Sequence, residues 1–236
     1  MSKENPAFLI DAHPELQPDL NFTRVAEEGY VGALIKVSQG GRFVPNGFAD
    51  YFRRAREAMD VSGVYHFLDG TATGRAQADH FLSVVEKVGG PDGKIIAVDF
   101  EDFDSPPTNQ ILAAFIERLR RDVPDRPVFV YSNRGFWTGG EPSGALSDYG
   151  ENLIAWDSAY LEEDHHRLPM HYYREVANVP RIWRKFNLSV PWSEKWGSVK
   201  PLMWQFTSSS LVAGRYHMDV NAFRADRRRL KTMAGK

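Results

Sequence analysis

IIAVDFEDF, residues 95–103, opens with four apolar or small side chains (Ile95, Ile96, Ala97, Val98) and runs straight into Asp99, Phe100 and Glu101. A continuous apolar run of this length, following the turn signal Gly89-Gly90-Pro91-Asp92-Gly93, reads as a strand buried on both faces. Side chains alternate along a strand, so Asp99 and Glu101 share one face and Phe100 takes the other. The carboxylates stand where the apolar run stops, at the strand's C-terminal end, which is where parallel α/β folds and barrels build their chemistry. Two acids so close on one face repel, and partial burial pushes one carboxyl up. A raised carboxyl donates a proton at neutral pH while its ionised neighbour stabilises positive charge. The plain alternative is a strand end with solvated acids, with Asp102 and Asp104 as loop residues.

The same grammar recurs along the chain. Ala7-Phe8-Leu9-Ile10 ends in Asp11, and Ala33 to Val37 ends in Ser38-Gln39-Gly40-Gly41. Ser62 to Phe67, Val128 to Ser132, Leu153 to Asp157, Leu202 to Phe206 and His217 to Val220 complete eight candidate strands. Helical spacing appears over Asp19–Glu28, Gly47–Met59 and Gly74–Val88, and Thr108 stands as the cap of a helix presenting Ile111, Leu112, Phe115, Ile116 and Leu119. Strands alternating with helices imply a parallel sheet. Five strand–helix units and three further strands predict an irregular TIM-like β/α barrel. A flat doubly wound sheet would need a phosphate-cradling glycine turn, and none fits.

Composition sets the outer limits. At 236 residues, 42% hydrophobic and 25% charged, the chain suits one large soluble domain or two small ones. With no repeat or linker, a single barrel domain with a core over about 7–224 and a basic tail over 225–236 is the simplest count. A net charge of −2 gives no field for nucleic acid or a membrane surface. No cysteine is present, so disulfides and a thiolate nucleophile are excluded. The start, MSKENPAFLID, lacks a signal peptide's apolar core, and no stretch is long enough to insert in a membrane.

Three strand ends now carry acids: Asp11, the Asp99–Glu101 pair and Asp219. In a closed barrel the first and eighth strands are neighbours and the fourth lies across the mouth, so four carboxyls ring one cleft. Carboxyls interleaved with aromatics (6 Trp, 9 Tyr and 15 Phe are available) suit glycoside hydrolysis. A Mg²⁺ or Ca²⁺ site ranks second, because the setting is Trp-rich and has no phosphate-handling loop. No metal or cofactor is expected.

At this point the sequence resembles the glycoside hydrolase family 25 lysozymes, N-acetylmuramidases of bacteria and phages. The likeness rests on IDAH (10–13), LIKVSQGG (34–41), GVYHFLDG (63–70) with AQADHFL (76–82), VDFED (98–102), VFVYSNRGFW (128–137), AWDSAY (155–160) and MWQFTSSSLVAGRYHMDVNAF (203–223). The resemblance implies an irregular barrel and cleavage of the β-1,4 bond between N-acetylmuramic acid and N-acetylglucosamine in peptidoglycan. It implies Glu101 as proton donor, Asp99 as the group orienting the substrate's acetamido, and Asp11 and Asp219 lining the subsite of cleavage. By the same matching Tyr65, Tyr131, Trp156 and Gln205 hold the sugar. Lys36, unusual on an apolar strand, is counted with the substrate-binding residues and either pairs with one of the acids or snorkels outward. Such a protein resembles a phage endolysin, a monomer made in the bacterial host cytoplasm and released to the cell wall, with a secreted or virion-associated form as the variant. The alternative is a glycan-binding barrel that does not cleave.

Several residues depart from the pattern or compete for a role. His13 stands where the family usually has serine, and Asp157 adds an acid near the mouth. The stretch Glu162–Lys200, with Trp183, Phe186, Trp192 and Trp196, reads as an insertion or a cleft wall. His66 reads as a hydrogen-bonded core histidine in preference to a cleft residue. His165, His166 and His171 fit no metal-ligand spacing. Ser208-Ser209-Ser210 reads as a turn, and the basic tail as a solvated helix end in preference to a wall-binding element.

Overall fold

A computed structural model describes residues 7–133, 136–137, 146–158 and 201–236 of the chain. Eight strands close a barrel in sequence order: β1 (Ala7–Ala12), β2 (Gly32–Gln39), β3 (Val61–Phe67), β4 (Ile95–Asp99), β5 (Val128–Asn133), β6 (Leu153–Ser158), β7 (Met203–Val212) and β8 (Arg215–Phe223). Four helices follow the first four strands' order around the outside: α1 (Phe22–Glu27), α2 (Phe48–Ala58), α3 (Gly74–Glu86) and α4 (Asn109–Arg120). A 3-10 turn, Leu146–Tyr149, precedes β6. The predicted Thr108 cap is present, its side chain accepting from the Ile111 N–H.

The strand period sorts the core into two layers. Leu9, Leu34, Val61, Ile95, Phe129, Ile154, Met203 and Phe223 fill the barrel, while Ile10, Ile35, Val64, Ile96, Val98 and Val130 face the helices. Gly63 is forced by the interior: a Cβ there would come within 2.3 Å of the Leu34 Cδ2. Moving from floor to mouth, the inward positions turn polar at Asp11, Lys36, Asp99, Gln205 and Asn221, all buried.

The last strand departs from an all-parallel sheet. β1 to β7 are parallel to their neighbours, whereas β8 runs antiparallel to both β7 and β1. The reason is a two-residue hairpin, Ala213-Gly214, in which both residues have positive φ (51° and 82°). This is the geometry that matches strand twist in a tight hairpin. β7 therefore continues through Ser208–Ser210, and the turn expected at those serines lies at Ala213-Gly214 instead.

The basic tail is also not a solvated appendage. It forms α5 (Arg227–Met233), capped by Asp226 accepting from the Arg229 N–H, and plugs the barrel floor with Leu230 and Ala234 fully buried in the interior layer. Arg227 and Lys231 pair with Asp60, Lys236 Nζ donates to the Asp60 carbonyl at 2.9 Å, and Arg126 Nη2 donates to the Ala234 carbonyl at 3.1 Å. Leu230→Ala is expected to lower unfolding stability by about 2–5 kcal/mol, as other buried leucine truncations do. Urea unfolding checks this, and an unchanged midpoint would show that the plug carries no stability.

Candidate active site

β4 delivers Asp99 at its last position, and the chain beyond stays pinned. The Phe100 N–H donates to the Tyr131 carbonyl at 2.9 Å, Ser132 Oγ donates to the Phe100 carbonyl at 2.7 Å, and the buried Phe100 ring meets Phe136 edge-on. Asp102 then accepts from the Asp104 and Ser105 N–H groups, closing a loop around Glu101. Asp102 and Asp104 are thus loop residues. Glu101 is left half-buried and facing the cleft.

The four acids meet. Asp11, Asp99, Glu101 and Asp219 all line one cleft of about 190 Å³ at the barrel mouth. Asp11 and Asp219 are direct register partners across β1 and β8. Tyr65, Tyr131, Trp156, Gln205 and Lys36 line the same cleft. Their polar ends brace one another: Gln205 Nε2 donates to Asp11 Oδ2 at 3.0 Å, and the Tyr131 hydroxyl donates to Gln205 Oε1 at 2.8 Å. Asn221, which the sequence reading passed over, donates to the same Asp11 Oδ2 at 2.8 Å and accepts from Trp156 Nε1 at 2.8 Å. Its signal was available, two residues after Asp219 and on the same strand face.

Burial sets the protons. It pushes all four carboxyls above their ordinary range, and each is raised further by an acid neighbour or held back by a donor. Asp11 is raised least decisively, because Asn221, Gln205 and Asp219 all hydrogen-bond its carboxylate. Asp219 is driven well up by burial and by Asp11 and Glu101, and its hydrogen bond to Asp11 raises it further. Burial and Glu101 push Asp99 well up, opposed by the Lys36 ammonium. Burial and the Asp11 charge bring Glu101 to about 7, with the Tyr131 hydroxyl pulling the other way. Lys36 Nζ hydrogen-bonds Gln39 Oε1 at 2.8 Å in place of a direct ion pair with an acid.

One expected neighbour of the mouth stands elsewhere. Asp157 is fully buried but follows Trp156 on β6, so it faces out of the barrel and does not line the cleft. His66 is a core residue, as expected: Nδ1 meets Ser38 Oγ at 2.8 Å, Nε2 meets Gln77 Oε1 at 3.2 Å, and the ring stacks on Phe115. Burial lowers it to about 3, so it is uncharged. A register shift between Lys36 and Ser38 lets β2 turn Lys36 to the cleft and Ser38 out to His66. Glu162–Lys200, with His165, His166 and His171, lies outside the described residues.

The sequence pattern described as Glycosyl hydrolases family 25 matches residues 13–215. The chain belongs to this family. It is therefore a glycoside hydrolase, and the fold agrees. The lysozyme from Streptomyces coelicolor superposes with a TM-score of 0.73 at 19% identity, covering 97% of each chain. The muramidase from Trichobolus zukalii gives 0.71 at 19%, covering 97% of this chain and 99% of that one. The catalytic domain of an endolysin from bacteriophage P40 of Listeria monocytogenes gives 0.68 at 16%, covering 98% of both. No curated protein matches the sequence.

The carboxyl ring should oppose folding at neutral pH. A group whose pKa is raised in the folded protein keeps a proton that the unfolded chain gives up, so stability falls as pH rises from the ordinary carboxylate range towards 7. Asp219→Asn retains an N–H for Asp11 and removes that burden. It is expected to raise the melting temperature at pH 7 by roughly 2–4 °C, a gain that vanishes near pH 4. Calorimetry across this range checks it, and a lower melting temperature at every pH would contradict it.

Proposed function

We propose that this family 25 hydrolase is a muramidase that cuts the β-1,4 bond between N-acetylmuramic acid and N-acetylglucosamine in peptidoglycan. The observation that carries the reading is the pairing of Glu101, half-protonated near pH 7, with a buried Asp99 oxygen. Asp99 Oδ1 has no hydrogen-bond partner among the described residues. A buried carboxyl oxygen left without a donor is costly unless a ligand supplies one. The N–H of an N-acetyl group is such a donor.

Glu101 gives its proton to the glycosidic oxygen as the C1–O bond breaks and the ring takes on oxocarbenium character. Asp99 accepts the acetamido N–H, and the acetamido carbonyl oxygen attacks C1 from the opposite face to form a cyclic oxazolinium. Water then adds at C1 as the C1–O bond of the oxazolinium breaks and the acetamido group is restored; Glu101 takes the water's proton, which regenerates the acid and retains the anomeric configuration. Asp11, fixed by Gln205 and Asn221, and Asp219 keep negative charge beneath the developing cation. Tyr65, Tyr131 and Trp156 form the walls against which the sugar lies. Names of similar proteins, a muramidase and a phage endolysin among them, support the same substrate. No described helix is long and apolar enough to cross a membrane. We place the site of action at the wall of a bacterium, reached from the host cytoplasm by release through a separate pore.

Clearing of suspended cell walls is expected to fall by at least about two orders of magnitude in Glu101→Gln, the usual contribution of a general acid. Undiminished clearing would mean that another group is the donor. In the parent protein kcat/KM should decline as pH rises through about 7, because Glu101 then loses the proton it must give. Mass spectrometry of digested sacculi should find N-acetylmuramic acid at the new reducing ends; N-acetylglucosamine there would name a different bond. A barrel that binds without cutting would yield no new ends.

A further inference from the structure

Three side chains along one edge of the cleft, His13, Gln17 and Lys36, play no part in the proton transfers. Each lines the cleft and carries a side-chain donor. The Glu15 backbone N–H, which can only donate, reaches His13 Nδ1 at 3.2 Å. Nδ1 is therefore the bare nitrogen and the ring proton sits on Nε2. Burial and the nearby Lys36 ammonium hold this imidazole below its ordinary pKa, so at neutral pH it is an uncharged donor. The His13 backbone N–H donates to Gln17 Oε1 at 2.9 Å, which leaves the two N–H groups of Gln17 Nε2 as the free end of that amide. Lys36 Nζ gives one hydrogen to Gln39 Oε1 and lies 4.4 Å from the centre of the Phe67 ring. It is the one cation among the described residues that line the cleft.

This edge is chemically the reverse of the acid ring. A sugar hydroxyl both gives and takes hydrogen bonds, so it makes poor use of an edge that only gives. A carboxylate accepts only, carries the opposite charge to Lys36, and forms the stronger charge-assisted bonds. We propose that His13, Gln17 and Lys36 form a subsite for a carboxylate on the 3-O substituent of the muramyl sugar. The proposal rests on the muramidase reading. The carboxylate is either that of the lactyl group itself, where no peptide is attached, or one belonging to the stem peptide.

The test uses three glycans: strands stripped of peptide, the same strands with the lactyl carboxylate capped as a methylamide, and strands with the stem peptide intact. Initial rates are measured for the parent, Lys36→Met and His13→Phe, and binding is titrated calorimetrically with Glu101→Gln. A carboxylate-bearing glycan should be cut and bound about tenfold better than the methylamide, and the ratio should fall to about one in Lys36→Met or His13→Phe. Preference for the stripped strands names the lactyl carboxylate, and preference for the intact strands names the peptide. Binding of all three glycans within twofold, or an unchanged ratio in both variants, overturns the subsite. If Glu101→Gln keeps the binding preference while the parent cuts none of the glycans, the subsite stands and the muramidase reading fails.

Discussion

The Asp11 carboxylate ties the two ends of the chain together at the barrel mouth. Gln205 from β7 and Asn221 from β8 both donate to its Oδ2, and Asp219 hydrogen-bonds it from the next strand. The contacts span 194 and 210 residues of sequence, so they exist only when the barrel is closed. Through Gln205 the network reaches Tyr131 and hence Glu101; through Asn221 it reaches Trp156. Closure of the fold and construction of the site are the same event.

That arrangement has an electrostatic consequence. Acids brought together on a floor of Tyr65, Tyr131 and Trp156 lose water and repel, and the ring keeps protons that exposed acids would lose. The unfavourable burial is what supplies an acid at neutral pH. Stability comes from elsewhere: the apolar lower layer of the barrel, the helices packed outside it, and α5 sealing the floor far from the acids. Function at the mouth and cohesion at the floor are spatially separate, as barrel architectures permit.

Much of this was legible in the chain. The run Ile95 to Val98 ending in Asp99 located the central strand, and strict alternation put Asp11, Asp99 and Glu101 on inward positions. Direction was not legible, because a two-residue period reads alike both ways; only the Ala213-Gly214 hairpin reverses β8. The three arginines at 227–229 hid the few apolar residues with which α5 plugs the barrel, since charge dominates so short a segment. Asp157 misled for the opposite reason. Its place after a cleft tryptophan suggested the mouth, but the same alternation that turns Trp156 in turns Asp157 out. The two-residue spacing from Asp219 puts Asn221 on the cleft face, but its role as a donor to Asp11 becomes legible only when β1 and β8 are in register.

Acid catalysis in this cleft depends on where the Glu101 proton sits. Carbon-13 labelling of the glutamate side chains, with Glu101 assigned by its loss in Glu101→Gln, lets the carboxyl be titrated by NMR. A midpoint near 7 is expected, moving down when the Asp11 charge is removed in Asp11→Asn. A midpoint at the ordinary glutamate value of about 4.3, indifferent to Asp11, would contradict it.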